Sequence, residues 1–212
     1  INISSPNTPG LRNLQSATEL PALLKRLNEA RQTQQRKVPM LLKIAPDLEA
    51  DEMKAIAESC LNSAVDGVII SNTTVSRPAL HAQHAKEAGG LSGAPLFDLT
   101  TQQLARFYLL TRGKIPLVGV GGIANAEHAW SKICAGASLL QLYSALVYQG
   151  PELVQKILFG LSRKLAGGGL IALSGFLALR GLSTYAVPLF ALGLGMIGQS
   201  SVFPNGFPWT KK

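Results

Sequence analysis

The strongest constraint on the fold is an alternation along roughly the first 165 residues of the 212-residue chain. Short apolar runs, which predict buried strands, take turns with longer segments whose apolar residues recur every three or four positions. The longer segments predict helices with one buried face. Repeated β-α units of this kind are typical of a parallel sheet covered by helices. The sequence therefore predicts an α/β fold.

Five segments have the length and composition of strands, and five others carry a helical stripe. The strand candidates are residues 1–4, 40–44, 67–71, 116–119 and 139–142. The stripes contain Leu24, Ile56, Leu104, Ala129 and Ile157. Because each stripe is confined to one helix face, we interpret it as the part of the helix that packs on the sheet.

Polar residues cluster where the predicted strands end, in segments 2–8, 43–47, 71–74, 121–122 and 143–144. The carboxyl ends of parallel strands share one edge of a sheet, and β/α barrels bind their ligands there. The sequence therefore predicts one binding site made from several loops. For the first loop alone an ordinary turn remains an alternative, because Ser, Pro, Asn and Gly also dominate turns.

The charge and the cysteines exclude several classes of protein. The net charge is +8, yet the basic residues of segment 25–37 are not interleaved with aromatic residues, and no nucleic-acid motif is present. We predict no nucleic-acid partner, and an anionic membrane surface is another use for the charge. Cys60 and Cys134 are far apart and form no CxxC motif, so neither a disulfide framework nor a zinc site is indicated.

The histidines do not predict a metal site. His81 and His84 have a metal-like spacing, but no third ligand is near them in the sequence. We interpret their segment as a solvated or lid loop, and we place His128 on a helix surface.

The composition changes at the carboxyl-terminal end. Residues 165–203 carry a single charge, that of Arg180, and residues 167–169 are three glycines that predict a hinge. Residues 181–198 are uncharged over a length at the lower limit for a membrane-spanning helix. Ala191 and Gly195 would let another helix approach closely.

These features predict two parts, a β/α domain at residues 1–166 and a membrane-anchor tail at residues 167–212 with a basic end at Lys211 and Lys212. The run 170–179 would lie at the membrane interface or form part of a second span. The alternatives are a buried hairpin and a poorly ordered tail. The absence of a starting Met and of a targeting segment suggests the remainder of a longer or processed polypeptide.

Six motifs resemble those of the dihydroorotate dehydrogenase family, specifically its class 2 enzymes, which are membrane-linked and pass electrons to quinone. The motifs are INISSPNTPGLRNLQ, LLKIAPDL, GVIISNTTVSRP, GGLSGAPL, PLVGVGGI and AGASLLQLYSALVYQGP, in the family's order. The resemblance implies part of a (β/α)8 TIM barrel, FMN as cofactor, and oxidation of dihydroorotate to orotate in pyrimidine biosynthesis. It also implies quinone as electron acceptor.

The resemblance assigns a role to Ser5, which matches the family's catalytic serine where class 1 enzymes carry cysteine. This residue would take a proton from one ring carbon while hydride leaves the neighbouring carbon for flavin N5. A serine hydroxyl is a poor base, so a water or Thr8 would have to relay its proton. Ser4 would point the other way if the segment is strand-like. The substrate-binding matches are Asn2, Asn7, Asn72 and Thr73.

The implied FMN-binding residues are Asn2, Lys43, Ser71, Gly93, Gly121, Gly122, Tyr143 and Ser144. Lys43 ends an apolar run, and a buried lysine needs an anionic or electron-rich partner, which the flavin would be. From its position alone, snorkelling to solvent is equally open. Segment GVGGI lies between a strand and a helix, where its amides would face a phosphate. It lacks the third glycine of the dinucleotide fingerprint, which favours FMN over NAD.

The sequence also departs from the family. Five strand candidates are too few for eight strands, so we expect a longer chain, a separate polypeptide or a larger membrane complex to complete the barrel. Quinone chemistry and the apolar tail imply the mitochondrial inner membrane or a bacterial cytoplasmic membrane. The alternatives are a catalytically inactive accessory subunit of a respiratory membrane complex and a soluble phosphate-binding barrel with a disordered tail.

Overall fold

The computed structural model describes residues 1–77, 87–179 and 183–197. The elements are α1 (Glu19–Gln32), β1 (Leu41–Ile44), α2 (Ala50–Leu61), β2 (Gly67–Ile70), α3 (Phe97–Thr111), β3 (Leu117–Val120), α4 (Ala126–Cys134), β4 (Leu139–Gln141), α5 (Ser144–Gln149), α6 (Glu152–Leu179) and α7 (Ser183–Ile197). Short 3₁₀ turns at Leu11–Gln15 and Ala94–Leu96 precede α1 and α3. The predicted α/β class is confirmed.

The four strands form one parallel sheet in the order β1-β2-β3-β4. In the register, Leu42 lies opposite Val68, which lies opposite Leu117. Gly119 of β3 lies opposite Leu140 of β4. Each strand follows the previous one in space as in sequence, as expected for successive β-α units. Four of the five predicted strands are therefore confirmed, and their carboxyl ends share one edge.

The fifth predicted strand, residues 1–4, is wrong. The segment runs beside β1 but forms only an isolated parallel bridge between Asn2 and Lys43. The Lys43 amide donates to the Ile1 carbonyl oxygen at 2.8 Å. The Ala45 amide, which would extend the pairing to the Ile3 carbonyl oxygen, donates instead to Gln15 Oε1 at 2.9 Å. The bridge nevertheless fixes the first polar loop beside the end of β1.

The core lies between the sheet and its helices. Leu20, Leu24, Ile56, Leu104 and Phe107 from α1 to α3 are at most 1% exposed. They pack with buried strand residues in one cluster. A second cluster joins α4 to the start of α6 through Ala129, Leu153 and Ile157. The predicted helical stripes are therefore core faces.

The predicted hinge at residues 167–169 is also wrong, because α6 runs through these positions without a break. Glycine costs a helix about 1 kcal/mol per residue. Contact with α7 offsets this cost: a Cβ at Gly193 would lie 2.7 Å from the Gly167 carbonyl oxygen. The close approach of the two helices falls at Gly193, between the predicted positions Ala191 and Gly195. Gly193 thus permits tight packing against Gly167, whereas a Cβ at Gly168 or Gly169 would meet no atom within 4 Å.

Among the described residues, α6 is the one helix long and apolar enough to cross a membrane, and 22% of its apolar window is buried. The predicted span 181–198 lies only partly within the described residues. Its described part, α7, has 15 residues, fewer than the roughly 20 that a span needs. Arg180, Lys211 and Lys212 lie outside the described residues.

Candidate active site

The carboxyl ends of the four strands open into a cleft of about 560 Å³. Each strand contributes the loop that follows it, and β1 contributes Lys43 itself. The predicted site residues in the lining are Lys43, Ser71, Asn72, Thr73, Gly93, Gly121, Gly122, Tyr143 and Ser144. A single cavity thus contains residues from distant parts of the sequence, from Lys43 on β1 to Ser144 at the start of α5.

Several residues of the lining were not predicted, among them Ser92, Leu96, Gln141, Tyr148 and Gln149. The Ser144 hydroxyl donates to the Ser92 hydroxyl at 3.2 Å, which links two loops of the lining. Gln141 is the last residue of β4, and position at a strand end was a usable signal for it. Tyr148 lies on α5 and is 87% exposed. Because it is not part of a buried helix face, no pattern in the sequence pointed to it.

Ser4 connects two of the predicted substrate-binding residues. Its side chain is fully buried; its hydroxyl donates to the Asn2 side-chain oxygen at 2.8 Å and accepts from Asn72 Nδ2 at 3.0 Å. Asn72 Nδ2 also lies 3.3 Å from the Asn2 oxygen. Sequence reasoning considered only the direction of Ser4 and missed this bridging position.

This network decides which groups face a ligand. The Asn72 side-chain oxygen accepts from the Thr73 amide at 2.8 Å, so both ends of this carboxamide have protein partners. Among the described residues, the Asn2 Nδ2 group and the Thr73 hydroxyl have none. These two groups are the donors that remain for a small polar molecule, and Ser4 fixes which way the Asn2 amide is turned.

Three predicted site residues, Asn2, Ser5 and Asn7, are not among the residues that line the cleft. Ser5 is half-buried, and its hydroxyl accepts from the Asn7 amide at 3.2 Å. The loop that carries them approaches the cleft through Pro6: a Cβ at Gly90 would lie 3.0 Å from Pro6 Cγ and would overlap the Thr73 hydroxyl. The loop therefore approaches the cleft through Pro6, beside Thr73.

Arg12, which sequence reasoning missed, ties three of the loops together. Its guanidinium donates to the Ser4 carbonyl oxygen at 3.1 Å, to Asp47 Oδ2 at 2.9 Å and to the Thr73 carbonyl oxygen at 3.0 Å. Asp47 also accepts from the Val75 amide at 3.0 Å and from the Thr74 hydroxyl. One ion pair thus holds the first loop against the ends of β1 and β2.

Replacing Arg12 by methionine should lower the free energy of unfolding by about 2–3 kcal/mol, because three hydrogen bonds from a charged donor are lost and Asp47 loses its cation. Urea denaturation followed by circular dichroism measures the change. Arg26→Met, at an exposed position on α1, is the control and should stay within about 0.5 kcal/mol. Equal effects of the two substitutions would show that the contacts of Arg12 contribute nothing to the free energy of unfolding.

Lys43 is half-buried in the cleft, and burial lowers the pKa of its ammonium group. Among the described residues no carboxylate or carbonyl pairs with its side-chain nitrogen. A partly desolvated cation without a partner fits an electron-rich or anionic ligand in the cleft.

The glycine-rich turn after β3 depends on glycine at both positions. Gly121 and Gly122 have φ values of +100° and +71°. A Cβ at Gly122 would lie 2.5 Å from Phe97 Cβ, and one at Gly121 would lie 2.8 Å from the Thr100 hydroxyl. Within the described part of the chain, the amides of both glycines have no hydrogen-bond acceptor. The turn therefore presses on the start of α3 and leaves amide donors open, as a phosphate cradle requires.

The described residues contain no group of three His, Cys, Asp or Glu side chains that could hold a metal ion. His81 and His84 lie outside the described residues. His128 is not simply a surface residue: its ring stacks on Phe97 with centroids 4.2 Å apart, and Nδ1 lies 3.0 Å from the Gly122 carbonyl oxygen. It supports the glycine-rich turn from outside.

The parallel sheet, with a polar cleft at its carboxyl edge, defines the class of protein: part of a β/α barrel with its ligand site in the usual place for that fold. Residues 1–165 match the family model described as Dihydroorotate dehydrogenase. The chain belongs to the dihydroorotate dehydrogenase family, and the resemblance noted from the six motifs is confirmed.

Similar proteins include two named dihydroorotate dehydrogenase (quinone). The one from Parvibaculum lavamentivorans is 56% identical over 170 residues, which are 80% of this chain and 48% of the relative. The other, from Oryza sativa subsp. japonica and named as mitochondrial, is 52% identical over 163 residues, which are 74% of this chain and 35% of the relative. The chain spans about half the length of the curated relatives it matches, or less.

A solved structure of DHODH from Eimeria tenella in complex with ferulenol is also similar, with a TM-score of 0.70 and 34% identity over 74% of this chain and 47% of that one. Its ligand-free form gives a TM-score of 0.72 and 32% identity. These likenesses extend the match from sequence to fold and fit the interpretation as a partial TIM barrel.

Proposed function

We propose that this chain supplies part of the active site of an FMN-dependent dihydroorotate dehydrogenase, which oxidises dihydroorotate to orotate for pyrimidine biosynthesis and passes the electrons to quinone. The observation that carries the proposal is the cleft. It brings Lys43, Asn72, Thr73 and the glycine-rich turn together in a chain of this family. No observation favours the alternative of an inactive accessory subunit.

The residues of the cleft fit FMN. The unpaired ammonium group of Lys43 would lie against the electron-rich ring, beside Ser71 and Asn2. The amides of Gly121 and Gly122 would hold the phosphate, together with Gly93, Tyr143 and Ser144 from the two loops opposite. Gly93 has a φ of +80°, and a Cβ there would point toward Ser144 at 3.9 Å, inside the cleft. When bound, FMN would supply the hydride acceptor.

The remaining groups of the site would act on the substrate. Asn2 and Thr73 would donate to the polar atoms of dihydroorotate, with Asn72 and Asn7 on either side. Ser5 would accept the proton from one ring carbon as hydride leaves the neighbouring carbon, while its own hydroxyl proton passes to a water or to Thr8. The loop would need to move Ser5 toward the cleft when substrate binds, since Ser5 is not among the residues that line it.

The barrel would be completed by a further polypeptide segment. Both edges of the four-stranded sheet remain available: residues 1–4 form only one bridge to β1, and Leu139 on β4 is 63% exposed. Unpaired parallel edges are costly, and a barrel removes them.

The apolar helices α6 and α7 would attach the protein to a membrane. α6 continues from the barrel without a break, and its outer part exposes Leu173 and Phe176 by 47% and 53%. On α7, Val187 and Leu192 are 69% and 56% exposed. A lipid bilayer would cover these side chains, and quinone is dissolved there. The mitochondrial inner membrane or a bacterial cytoplasmic membrane is the proposed location.

The test of the activity is the visible absorbance of the purified full chain, loaded with FMN if necessary. We expect bound flavin, bleaching on addition of dihydroorotate, and recovery of the absorbance on addition of a soluble quinone. If flavin binds but is not bleached, dihydroorotate is not the substrate. Absence of flavin binding, both alone and after co-expression with the amino-terminal half of a quinone-linked relative, would overturn the proposal.

The test of membrane attachment is alkaline carbonate extraction of the expressed protein. We expect the full chain to remain with the membrane fraction. The double substitution Leu173→Glu and Leu192→Glu should release it, because both side chains would face lipid. Leu109→Glu, at a position 56% exposed on α3, is the control and should not. Release of the unsubstituted chain would contradict membrane attachment.

A further inference from the structure

Lys132 on α4 is enclosed in the protein interior. Its side chain is 0% exposed, although lysine is among the residues least often fully buried. Its ammonium group donates to the Thr100 hydroxyl at 2.5 Å and to the Phe97 carbonyl oxygen at 3.4 Å, and it lies 5.2 Å from the Phe97 ring centroid. All of these partners are neutral, and within the described residues Lys132 forms no ion pair.

The ammonium group lies directly behind the glycine-rich turn. The Thr100 hydroxyl that accepts from Lys132 also lies 3.4 Å from the Gly121 carbonyl oxygen and would be 2.8 Å from a Cβ at Gly121. Phe97, the second partner, is the residue against which Gly122 packs. Lys132 therefore contacts Phe97 and Thr100, the two residues that also pack against the Gly121–Gly122 turn. The amides of this turn face the cleft.

We propose that Lys132 is a positioning residue for a phosphate group: it holds the start of α3 against the Gly121–Gly122 turn and supplies, from inside the protein, positive charge for a phosphate bound on the other side. The inference rests on the proposed binding of FMN and adds a residue that does not touch the ligand. A buried lysine with only neutral partners is costly unless an anion lies within reach. Asp98 on α3 is one such anion, and a phosphate dianion in the cleft would be a second.

Few charged groups surround Lys132, so we expect its protonation to be coupled to the binding of a phosphate. Burial lowers the pKa of Lys132 to about 7, and Asp98 on α3 opposes that shift. On α4 itself, His128 stacks on Phe97, and Glu127 is paired with Lys164 of α6 at 3.8 Å. The strands β3 and β4 contain no charged residues. Near neutral pH a bound dianion therefore favours the protonated lysine, and the protonated lysine favours the dianion.

The experiment compares FMN with riboflavin, which lacks the phosphate, on the full chain and on Lys132→Met, which keeps an unbranched apolar side chain without the charge. We expect affinity for FMN to fall about tenfold or more and affinity for riboflavin to change much less. Lys54→Met, at an exposed position on α2, is the control for loss of one positive charge and should preserve the ratio of the two affinities.

A pH series separates this role from a purely structural one. As pH rises from about 6 to 8, Lys132 loses its charge, so the advantage of the unsubstituted protein over Lys132→Met in FMN affinity should shrink. The ionisation of the free phosphate near pH 6 is common to both titrations and cancels in the ratio of the two affinities. Equal losses for FMN and riboflavin, or a constant advantage across this pH range, would overturn the proposal.

Inorganic phosphate is the probe that distinguishes this inference from the proposed function. We expect phosphate to raise the melting temperature of the full chain, and less so that of Lys132→Met. If phosphate acts this way while no flavin binds, the dehydrogenase assignment fails and the role of Lys132 stands. If FMN binds with the same affinity to both proteins, the proposed FMN site stands and the role of Lys132 fails. If neither probe binds, both are overturned.

Discussion

Replacing Ser5 by alanine should slow the reduction of bound flavin by dihydroorotate about 10²- to 10⁴-fold while flavin binding is unchanged. The expected loss is the usual contribution of a positioned proton acceptor. The fold should survive, because Ser5 is half-buried and its hydroxyl has a single local partner, the Asn7 amide. Stopped-flow absorbance of the flavin under single-turnover conditions measures this step without depending on quinone.

Two companion substitutions make the result specific. Ser59→Ala removes a hydroxyl that donates only to its own helix, at the Ala55 carbonyl oxygen, and should leave the rate unchanged. Ser5→Cys replaces the hydroxyl by a thiol with a reference pKa of about 8.5, so its rate should rise with pH through that value. A rate for Ser5→Ala within about threefold of the unsubstituted protein would show that another group takes the proton.

Ser4→Ala should have a different signature. Its hydroxyl turns the Asn2 amide and holds Asn72, and neither role places it at the reacting carbon. We therefore expect weaker binding of dihydroorotate, by about fivefold to tenfold if the misoriented Asn2 amide loses one hydrogen bond to the substrate, with a smaller change in the rate at saturation. The comparison of adjacent serines thus separates orientation of the substrate from proton transfer.

The sheet and the position of the site were predictable because both follow from periodicity. Strands such as Leu41–Ile44 and Gly67–Ile70 are short apolar runs, and in a parallel sheet their carboxyl ends must meet. Once the strands were located, the cleft that contains Lys43, Asn72 and Gly122 followed. The helical stripes were equally readable, since one face of each helix had to be buried.

What the sequence did not reveal depends on contacts between distant residues. Nothing near Arg12 in the sequence indicates Asp47 or the Thr73 carbonyl, and the burial of Lys132 depends on α3. Local rules also failed where tertiary contact outweighed them. Residues 1–4 read as a strand, but Gln15 takes the Ala45 amide that would extend the pairing with β1. The three glycines at 167–169 read as a hinge, but they lie within α6, and Gly193 of α7 packs against the first of them.

Replacing Gly122 by alanine should abolish binding of FMN at concentrations that saturate the unsubstituted protein. The new Cβ would lie 2.5 Å from Phe97 Cβ and 2.6 Å from Phe97 Cα, and the φ of +71° disfavours any side chain. Backbone strain of about 1–2 kcal/mol adds to about 1–3 kcal/mol of overpacking. The turn can escape the clash only by moving away from α3, which displaces the amides that face the cleft.

Gly150→Ala is the matched control, because Gly150 has a φ of +74° but no atom within 4 Å of the position of a new Cβ. Its φ of +74° and ψ of 177° lie in a region almost confined to glycine, so it should incur the backbone strain alone, about 1–3 kcal/mol, and bind FMN like the unsubstituted protein. Titration with FMN and urea denaturation of both variants give the comparison. If Gly122→Ala bound FMN normally and lost no more stability than Gly150→Ala, contact between the turn and α3 would not position the amides, and the phosphate would have to be held elsewhere in the cleft.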